Sequence, residues 1–395
     1  MNGRLIPVLL AASLAGCSTF NSISSMGTSV SNTVGGWFGS NAAKEAAKPA
    51  PLVDFKPAVA LSEAWKTAVG EMEGRAFSPS AEGDAVFVAS SGKVVRLNLQ
   101  NGAEAWKSDA GVKLSAGAGV GLGMALAGGG RGELLALDAV SGQPRWKAQL
   151  SSEVTGRLLA VLDTVIARTG DGRVHGLSAA DGSRKWLYSR NLPALTLRGS
   201  GGLLARDGVV FAGFPGGKLV ALNAVNGAQL WEATVALPHG ATELERVADV
   251  VGNPVADDKR VCAVAYHGRV ACFDRKSGAP LWARDTSSNS GLAMDEKNVY
   301  VTDDKDAVTA YDKDNGSAGW RQDKLAHRRV TAPLALGTLV AVADGEGYLH
   351  LMSAEDGSFV GRAQLDSAAA SPPVDIGPGL AVQTVKGNVV AFKLK

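Results

Sequence analysis

Side chains that could carry out nucleophilic, acid–base or metal chemistry occur in this sequence without the spacing that such chemistry needs. A nucleophilic serine would be expected in a Gly-x-Ser-x-Gly elbow, and the 395 residues contain none. No two histidines have a metal-binding spacing such as His-x-x-x-His, so we expect each to be a turn or surface residue. The five histidines are His175, His239, His267, His327 and His350.

Two cysteines offer a different chemistry, the formation of a disulfide. Cys262 and Cys272 lie on the two strands of one predicted hairpin, at equal offsets from His267. If they are directly opposite, they can be joined in an oxidising compartment such as the periplasm. A one-residue shift in register would point them to opposite faces, and both interpretations stay open. No other cysteine or suitably spaced histidine accompanies them, so they do not indicate a metal site.

Two segments superficially resemble ligand-binding loops. Gly117–Gly123 has glycine at every second position, but it precedes no helix and lacks Gly-Lys-Ser/Thr, so we predict a strand and a tight turn. Asp312–Gly316 resembles the start of a calcium loop, yet its glycine falls one position early and the required glutamate is missing. We therefore expect no cofactor and no metal. A formal charge of +2 without an arginine–aromatic cluster also argues against nucleic acid.

The chain is organised by a pair of hairpin strands that recurs about every 40 residues. The first strand begins with glycine and alternates apolar residues, as in Gly132-Glu-Leu-Leu-Ala-Leu-Asp138. The second is Gly-x-x-x-Trp, and its tryptophan lies 14 residues after the first glycine position. Six copies follow this rule, ending at Trp106, Trp146, Trp186, Trp231, Trp282 and Trp320. Another copy has Gly361 in place of tryptophan, and one begins with Asp306 in place of glycine. Short strands with this period indicate a β-propeller.

The two ends of the chain predict how the ring closes. Trp65 lies in a tryptophan-type strand without preceding strands of its own blade, and the glycine strand from Gly387 has no tryptophan strand after it. The two halves complement each other and would leave no open edge at the seam. We therefore predict an all-β fold, an eight-bladed β-propeller with four-stranded antiparallel blades and a ring closed by the N-terminal strand. The repeat tryptophans should pack between blades.

The N-terminus carries a predicted targeting signal. Leu5 to Ala15 form an apolar run too short to remain as a spanning helix. The following Leu14-Ala15-Gly16-Cys17 resembles the bacterial lipoprotein signal, which is cut before a cysteine that becomes lipid-modified. A plain secretory signal cleaved elsewhere is the alternative, and Ser18 after the cysteine favours the outer membrane. The predicted segments are a signal peptide at 1–16, a lipid-anchored flexible tether at 17–57 and the propeller at 58–395.

Two insertions interrupt the repeat, and both follow an outermost strand. The distance from tryptophan to the next repeat glycine is 26 residues after Trp106 and Trp146, but 31 after Trp186 and 37 after Trp231. The inserted loops cross to the next blade on the same rim, which predicts a local binding surface. In the other interpretation, both loops merely fold over their own blades.

The inserted residues indicate how a partner would be held. Leu195 and Leu197 alternate with a threonine and precede Arg198, so this segment suits strand addition to a partner's sheet edge. Residues 242–251 predict a short helical turn capped by Thr242, with Glu245 three positions on. Such a turn would place three charged residues on one side. The predicted partner-binding residues are Leu195, Leu197, Arg198, Glu243, Arg246 and Asp249.

The spaced Gly-x-x-x-Trp repeats resemble the quinoprotein (PQQ-type) propellers. Over essentially its whole length the chain is similar to one branch, the BamB family, which shares the lipobox, the short tether, the eight repeats and the absence of a cytochrome domain. Three segments are closely similar to family strings: Leu195-Thr-Leu-Arg-Gly199, Thr242–Val250 and Gly345–His350.

The resemblance implies a non-enzymatic scaffold in the outer-membrane β-barrel assembly complex. It would be lipidated at Cys17, lie at the periplasmic face of the outer membrane, bind the POTRA region of BamA and work beside the other Bam subunits. Family contacts fall on the loop with Leu195, Leu197 and Arg198, and on Asp249. A second acidic family position is occupied by Val251 here. Binding of unfolded outer-membrane proteins by strand pairing is a weaker second role, because the blade edges are short.

Two other functions remain as alternatives. One is a PQQ-dependent periplasmic dehydrogenase, since that branch has the same repeat. Its typical adjacent cysteines do not occur here, because Cys262 and Cys272 are ten residues apart. The other is a lipoprotein that binds polysaccharide.

Overall fold

A computed structural model describes residues 48–72, 77–197 and 201–395. The predicted lipidation site Cys17, the signal peptide and most of the tether lie outside these ranges, as does Arg198. In the described ranges the strands form eight four-stranded antiparallel sheets, which are the blades of an eight-bladed β-propeller. No helix of these same ranges is long and apolar enough to cross a membrane.

Blades one to four follow the chain from the innermost strand outward. Their strands are β2 (Ser80–Glu82), β3 (Ala85–Ala89), β4 (Lys93–Asn98) and β5 (Glu104–Asp109); β6 (Leu114–Gly121), β7 (Met124–Gly129), β8 (Glu133–Asp138) and β9 (Pro144–Gln149); β10 (Val154–Val161), β11 (Thr164–Thr169), β12 (Arg173–Ser178) and β13 (Arg184–Ser189); and β14 (Leu203–Arg206), β15 (Val209–Phe214), β16 (Lys218–Asn223) and β17 (Gln229–Thr234).

Blades five to seven repeat this order, and blade eight combines both ends of the propeller. The strands are β18 (Val250–Ala256), β19 (Arg260–Ala265), β20 (Arg269–Asp274) and β21 (Pro280–Asp285); β22 (Gly291–Met294), β23 (Asn298–Thr302), β24 (Val308–Asp312) and β25 (Ala318–Gln322); β26 (Leu334–Leu336), β27 (Leu339–Ala343), β28 (Tyr348–Ser353) and β29 (Phe359–Gln364); and β30 (Val374–Asp375), β31 (Gly379–Gln383), β32 (Asn388–Leu394) and β1 (Leu61–Ala68).

The closure predicted from the two ends is confirmed. β1 pairs antiparallel with β32 and forms the outermost strand of blade eight, with Trp65 opposite Ala391. Burial explains the sequence pattern of the blades. The six residues of β7 are all buried because this strand has a neighbouring blade on both faces. The outermost β9 instead alternates, with Trp146 buried between exposed residues.

The glycine segment and the calcium-like segment are strands and turns, as predicted. β6 and β7 are joined at Leu122 and Gly123, whose φ values of 55° and 68° suit a two-residue hairpin turn. Asp312 ends β24, and Gly316 lies in the hairpin turn before β25. Asp306 adopts φ 65°, so it has the left-handed conformation of the repeat glycine that it replaces.

Each of the seven repeat tryptophans in the described ranges packs between blades and donates its indole N–H to a carbonyl of the next blade. The N–O distances are 2.8–3.1 Å. The indole also faces a hairpin glycine with positive φ, where a Cβ would lie less than 3.0 Å from the ring. The tryptophan–glycine pairs are Trp65–Gly102, Trp106–Gly142, Trp146–Gly182, Trp186–Gly227, Trp231–Gly278, Trp282–Gly316 and Trp320–Gly357. Glycine is therefore needed both for the turn and for the indole.

Blade seven has Gly361 at the position of the repeat tryptophan, and the structure of blade eight explains why. In the other blades a hairpin turn joins the third and fourth strands and receives the indole of the preceding blade. In blade eight those strands are β32 and β1, which are not consecutive in the chain, so no turn joins them. The N-terminal segment lies there instead, and a Cβ on Gly361 would be 3.0 Å from the carbonyl oxygen of Val59.

The predicted extent of the flexible tether, residues 17–57, is wrong at its end. Residues 48–57 belong to the same compact unit as the propeller. Ala50 donates its backbone N–H to the carbonyl of Ala326 at 2.9 Å, and the ring of Phe55 lies 5.8 Å from that of Phe359. Sequence composition suggested a linker because this segment is rich in alanine and proline and has no strand alternation.

The expectation that every histidine is a turn or surface residue is wrong for two of them. His350 is fully buried, and His175 is 4% exposed beside the hydroxyls of Ser151 and Thr169. Burial lowers the pKa of His175 to about 4; Asp171 opposes this effect, and two nearby arginines add to it. Both histidines occupy positions that are apolar in most repeats, where a single chain gives no sign of the polar partners.

The disulfide interpretation of the two central cysteines is confirmed. Cys262 on β19 lies directly opposite Cys272 on β20, and the two are joined in a disulfide with a Cα–Cα distance of 4.0 Å. Both are fully buried and pack in one cluster with Trp282. The bond therefore links the two middle strands of blade five.

Candidate functional site

The two insertions lie where the repeat spacing places them. The first loop, residues 190–202, joins β13 to β14, and the second loop, residues 235–249, joins β17 to β18. We call these two loops together the loop surface. The structure describes the first loop at 190–197 and 201–202, and the second loop completely.

A buried carboxylate holds the first loop against the propeller. Asp249 has no exposed surface, and its Oδ2 accepts the backbone N–H of Leu197 at 2.6 Å. Its Oδ1 accepts the N–H of Gly216, in the turn between β15 and β16, at 3.2 Å. One side chain at the end of the second loop therefore fixes both the first loop and a blade-four turn. The alternative, in which both loops merely fold over their own blades, does not require such a link between them.

Arg168, on β11 of blade three, also supports the first loop near its contact with Asp249. Its side chain is buried on β11 and donates to the carbonyl oxygens of Gly201 and Gly213. The guanidinium also lies 4.7 Å from the centre of the Phe214 ring. Burial lowers the pKa of Arg168 to about 10, and the negative charge of Asp249 raises it, so the group stays protonated at neutral pH. A buried positive charge is therefore balanced by the carboxylate that holds the loop.

The predicted helical turn of the second loop is present but shorter than expected. The carboxylate of Glu245 accepts the N–H of Thr242 at 3.0 Å, and the Thr242 hydroxyl accepts the N–H of Glu245 at 3.3 Å, which is a capping box. The backbone N–H groups of Thr242 and Ala241, which both donate to this carboxylate, lower the pKa of Glu245. The turn covers residues 243–246, and β18 starts at Val250. The predicted extent of 242–251 is therefore wrong, because residues 247–249 lead directly from the turn into β18.

The predicted charged side of this turn is correspondingly incomplete. Glu243 and Arg246 are exposed and form an ion pair at 3.4 Å, with Arg246 also donating to the carbonyl of Gly240. Asp249 lies inside the protein and does not share their side. The structure therefore gives Asp249 a role inside the loop surface, and its contact with a partner stays a prediction.

The two leucines of the first loop also differ from the expected exposed strand. Residues 194–197 form no strand. Leu195 is 47% exposed, whereas Leu197 packs against the cluster of blade five that contains Val251 and Cys262. The backbone N–H of Leu197 is already used by Asp249, so it is not free for a partner's sheet edge. Leu195 is thus the leucine of this pair whose side chain is exposed.

Two further leucines on the second loop were missed by sequence reasoning. Leu237 is 67% exposed and Leu244 is 70% exposed, compared with 47% for Leu195. Leu244 lies between two glutamates, and an isolated apolar residue in a polar inserted turn could have indicated an exposed leucine. Together the three leucines give the loop surface exposed apolar side chains, and two of them share the second loop with the exposed ion pair of Glu243 and Arg246.

In the described part of the chain, no three side chains of histidine, cysteine, aspartate or glutamate come together in a metal-binding group. The chemistry that the loop surface itself offers is apolar contact and ion pairing.

Comparison with known proteins gives a consistent result. The family model described as outer membrane protein assembly factor BamB matches residues 90–322 and 304–395. The chain is 40% identical over 349 residues to the protein of that name from Bordetella pertussis, covering 88% of this chain and 90% of the relative. For the Pseudomonas aeruginosa protein, identity is 42% over 361 residues, covering 90% and 95%.

Solved structures agree with these sequence relatives. The crystal structure of BamB from Moraxella catarrhalis matches with a TM-score of 0.79 and 27% identity, over 85% of this chain and all of that one. A quinohemoprotein alcohol dehydrogenase from Pseudomonas putida matches with a TM-score of 0.67 at 14% identity, over 84% of this chain and 76% of that one. At that identity the second likeness concerns the propeller fold alone.

Proposed function

The chain belongs to the BamB family of outer membrane protein assembly factors, and from this we propose that it is a non-enzymatic scaffold subunit of the outer-membrane β-barrel assembly complex. The names of its relatives and the extent of the matches support this role. We propose further that Cys17 carries lipid, which would keep the propeller at the periplasmic face of the outer membrane.

We infer that the loop surface binds the POTRA region of BamA, beside the other Bam subunits. The observation that carries this is the junction at Asp249, which joins the first loop to the end of the second loop. A loop that is already fixed loses little conformational entropy when a partner binds. Two inserted loops tied into one surface are thus better suited to binding than two separate mobile loops.

The proposed roles of the residues follow from their exposure. Leu195, Leu237 and Leu244 would provide apolar contact, since their side chains are accessible. Arg198 would pair with a partner carboxylate, as the family resemblance implies. The exposed pair of Glu243 and Arg246 would favour one orientation of the partner. Leu197 and Asp249 would instead support the loop surface from inside the protein, together with Arg168 on the neighbouring β11.

A direct binding measurement tests this assignment. Affinity for purified POTRA region would be compared for the wild type, Leu244→Ser, Arg198→Glu and the control Leu281→Ser, whose leucine is 48% exposed on β21. We expect a loss of roughly tenfold or more for the first two variants and none for the control. Circular dichroism would verify that each variant is folded. Wild-type affinity in both loop variants would exclude the loop surface as the binding site.

The dehydrogenase alternative has a separate test. The purified protein would be incubated with PQQ, calcium, an alcohol and a redox dye. We expect no dye reduction above that of a heat-denatured sample, and sustained reduction would favour an enzyme. Pelleting with purified sacculi would similarly favour the polysaccharide alternative. Binding of unfolded outer-membrane proteins would be measured with a labelled client peptide, and we expect it to be weaker than POTRA binding.

A further inference from the structure

The described N-terminal residues 48–60, here called the strap, lie along blade seven before the chain enters β1. The backbone N–H of Ala50 donates to the carbonyl of Ala326, and the N–H groups of Ala58 and Val59 both donate to the carbonyl of Val360, each at 2.9 Å. Val360 belongs to β29, the outermost strand of that blade. The strap is therefore held by backbone hydrogen bonds at both of its ends.

Two arginines also bond to carbonyl groups of the strap: Arg328, in the loop that joins blade six to blade seven, and Arg362, on β29. Arg328 Nη1 donates to the carbonyl of Ala50 at 2.9 Å, and Arg362 Nη1 donates to that of Val53 at 3.0 Å. The Arg362 guanidinium also lies 4.9 Å from the centre of the Phe55 ring. Hydrogen bonds from a charged donor are among the stronger ones in proteins, so the strap is held specifically.

A buried pair of side chains positions both arginines. Asp344 Oδ2 accepts from Arg328 Nε at 2.7 Å and lies 2.9 Å from His350 Nε2, and Arg362 Nε lies 3.3 Å from His350 Nδ1. Both Asp344 and His350 are fully buried. Burial raises the pKa of Asp344, but hydrogen bonds from His350 and Arg328 outweigh it and lower the pKa. Burial lowers the pKa of His350, so it is neutral and can donate from Nε2 while Nδ1 accepts from Arg362.

The strap lies where the regular contact between blades is missing. Gly361 occupies the tryptophan position of blade seven, and a Cβ there would be 3.0 Å from the Val59 carbonyl oxygen. The other blades of the described chain are joined to their successors by an indole, whereas blade seven meets the closing strand through this segment. The loss of one tryptophan is thus matched by a different contact at the seam.

We propose that the strap is a clamp that protects the β1–β32 seam from being peeled open. Within blade eight β1 is an edge strand that pairs with β32, and outside this blade its Trp65 indole donates to the Leu99 carbonyl of blade one. A pull on the N-terminal side of β1 would otherwise break this pairing one residue at a time. With the strap in place, the pull acts first on the contacts to Arg328 and Arg362. The source of the pull rests on the proposed lipid anchor, but the protection of the seam does not.

Two variants of the full-length mature protein test the clamp. Arg362→Ala removes one attachment, and replacement of residues 50–57 by glycine and serine of equal length removes the strap's contacts. Arg184→Ala, on the exposed side of β13, is the matched control. Chymotryptic cleavage after Phe55, followed by mass spectrometry, reports release of the strap. Hydrogen exchange of β1 amides reports opening of the seam, with β16 as an internal reference.

We expect cleavage after Phe55 to be roughly tenfold faster in Arg362→Ala than in the wild type and the control. In the replaced protein, exchange in β1 should rise by roughly tenfold while β16 is unchanged. Equal cleavage rates in wild type and Arg362→Ala would overturn the proposed attachment. Unchanged exchange in β1, or an equal rise in β16, would overturn the protection of the seam. POTRA binding should stay unchanged in both variants, which separates this proposal from the proposed function.

Discussion

Replacing Asp249 by asparagine should release the first loop without removing any exposed contact. The two carboxylate oxygens accept the N–H groups of Leu197 and Gly216. Asparagine has almost the same shape, but one of its two terminal atoms is an NH₂ group. Whichever way the amide turns, one backbone N–H then faces another donor inside the protein.

The expected magnitude follows from the contacts at this side chain. A hydrogen bond to a charged acceptor contributes about 1.5–3 kcal/mol, and a buried donor left without an acceptor costs about 1–3 kcal/mol. The variant also removes a negative charge close to the buried Arg168 guanidinium. We therefore expect the closed state of the first loop to lose about 3 kcal/mol, which corresponds to roughly a hundredfold increase in local opening.

Residue-resolved hydrogen exchange at the Leu197 amide measures this opening. In Asp249→Asn the exchange should accelerate by roughly two orders of magnitude. Glu245→Gln is the control, because it disturbs the capping box of the second loop but leaves the Leu197 amide bonded. Unchanged exchange at Leu197 in Asp249→Asn would refute the reasoning. POTRA affinity should fall in the same variant, because the loop must then be ordered at the moment of binding.

Three other predictions concern the ring. The pKa of His175 is about 4 in the folded protein and 6.5 in the unfolded chain, so the unfolded chain binds more protons between these pH values. Neutral His175 therefore contributes about 3 kcal/mol to the free energy of unfolding above pH 6.5, and this contribution is lost as the pH falls to 4. Urea titrations over this pH range should lose this pH dependence in His175→Gln. Gly182→Ala should lower the free energy of unfolding by about 2–4 kcal/mol, because residue 182 has a positive φ and the added Cβ would clash with the Trp146 indole. Gly92→Ala, where the Cβ meets open space, should lower it by less than about 1 kcal/mol in the same assay. Cys262→Ser with Cys272→Ser should lower the free energy of unfolding by at least about 2–3 kcal/mol, and a value unaffected by the change would contradict a closed disulfide.

The propeller could be predicted from the sequence because its determinants recur at fixed spacing. Every tryptophan of the repeat needs the same glycine turn in the next blade, so the pattern is visible without any relative. The two half-blades at the ends were equally visible, and the pairing of β1 with β32 followed from them. The positions of both loops followed from the spacing as well.

The interior of the loop surface could not be predicted in the same way. Asp249 was expected on an exposed side because its spacing from Glu243 and Arg246 suits a helix, and the short turn instead brings it inside. Leu197 was expected to be exposed because it alternates with Leu195. Both positions are decided by hydrogen bonds between segments some fifty residues apart, which local periodicity does not encode.

The strap was missed for a related reason. Its backbone groups, rather than a pattern of side chains, make most of its contacts, and Arg328 and Arg362 lie far away in the sequence. Gly361 was noticed as an exception to the repeat, but its meaning depends on the fact that β32 and β1 are not consecutive.

The one-way order of the indole contacts has a consequence for circular permutation. Consider a variant in which a glycine-containing turn links Lys395 to Ala60 and new chain ends are opened in the turn at Gly227. The missing indole contact, now at position 361, would then move to the blade that precedes the new ends. Trp186 would lose its acceptor and its glycine, because both lie in the turn that had been cut. Position 361 would acquire a turn to receive an indole. A stable permutant should therefore carry tryptophan at 361 and a smaller residue at 186, so the position of the exceptional glycine records where the ring is cut.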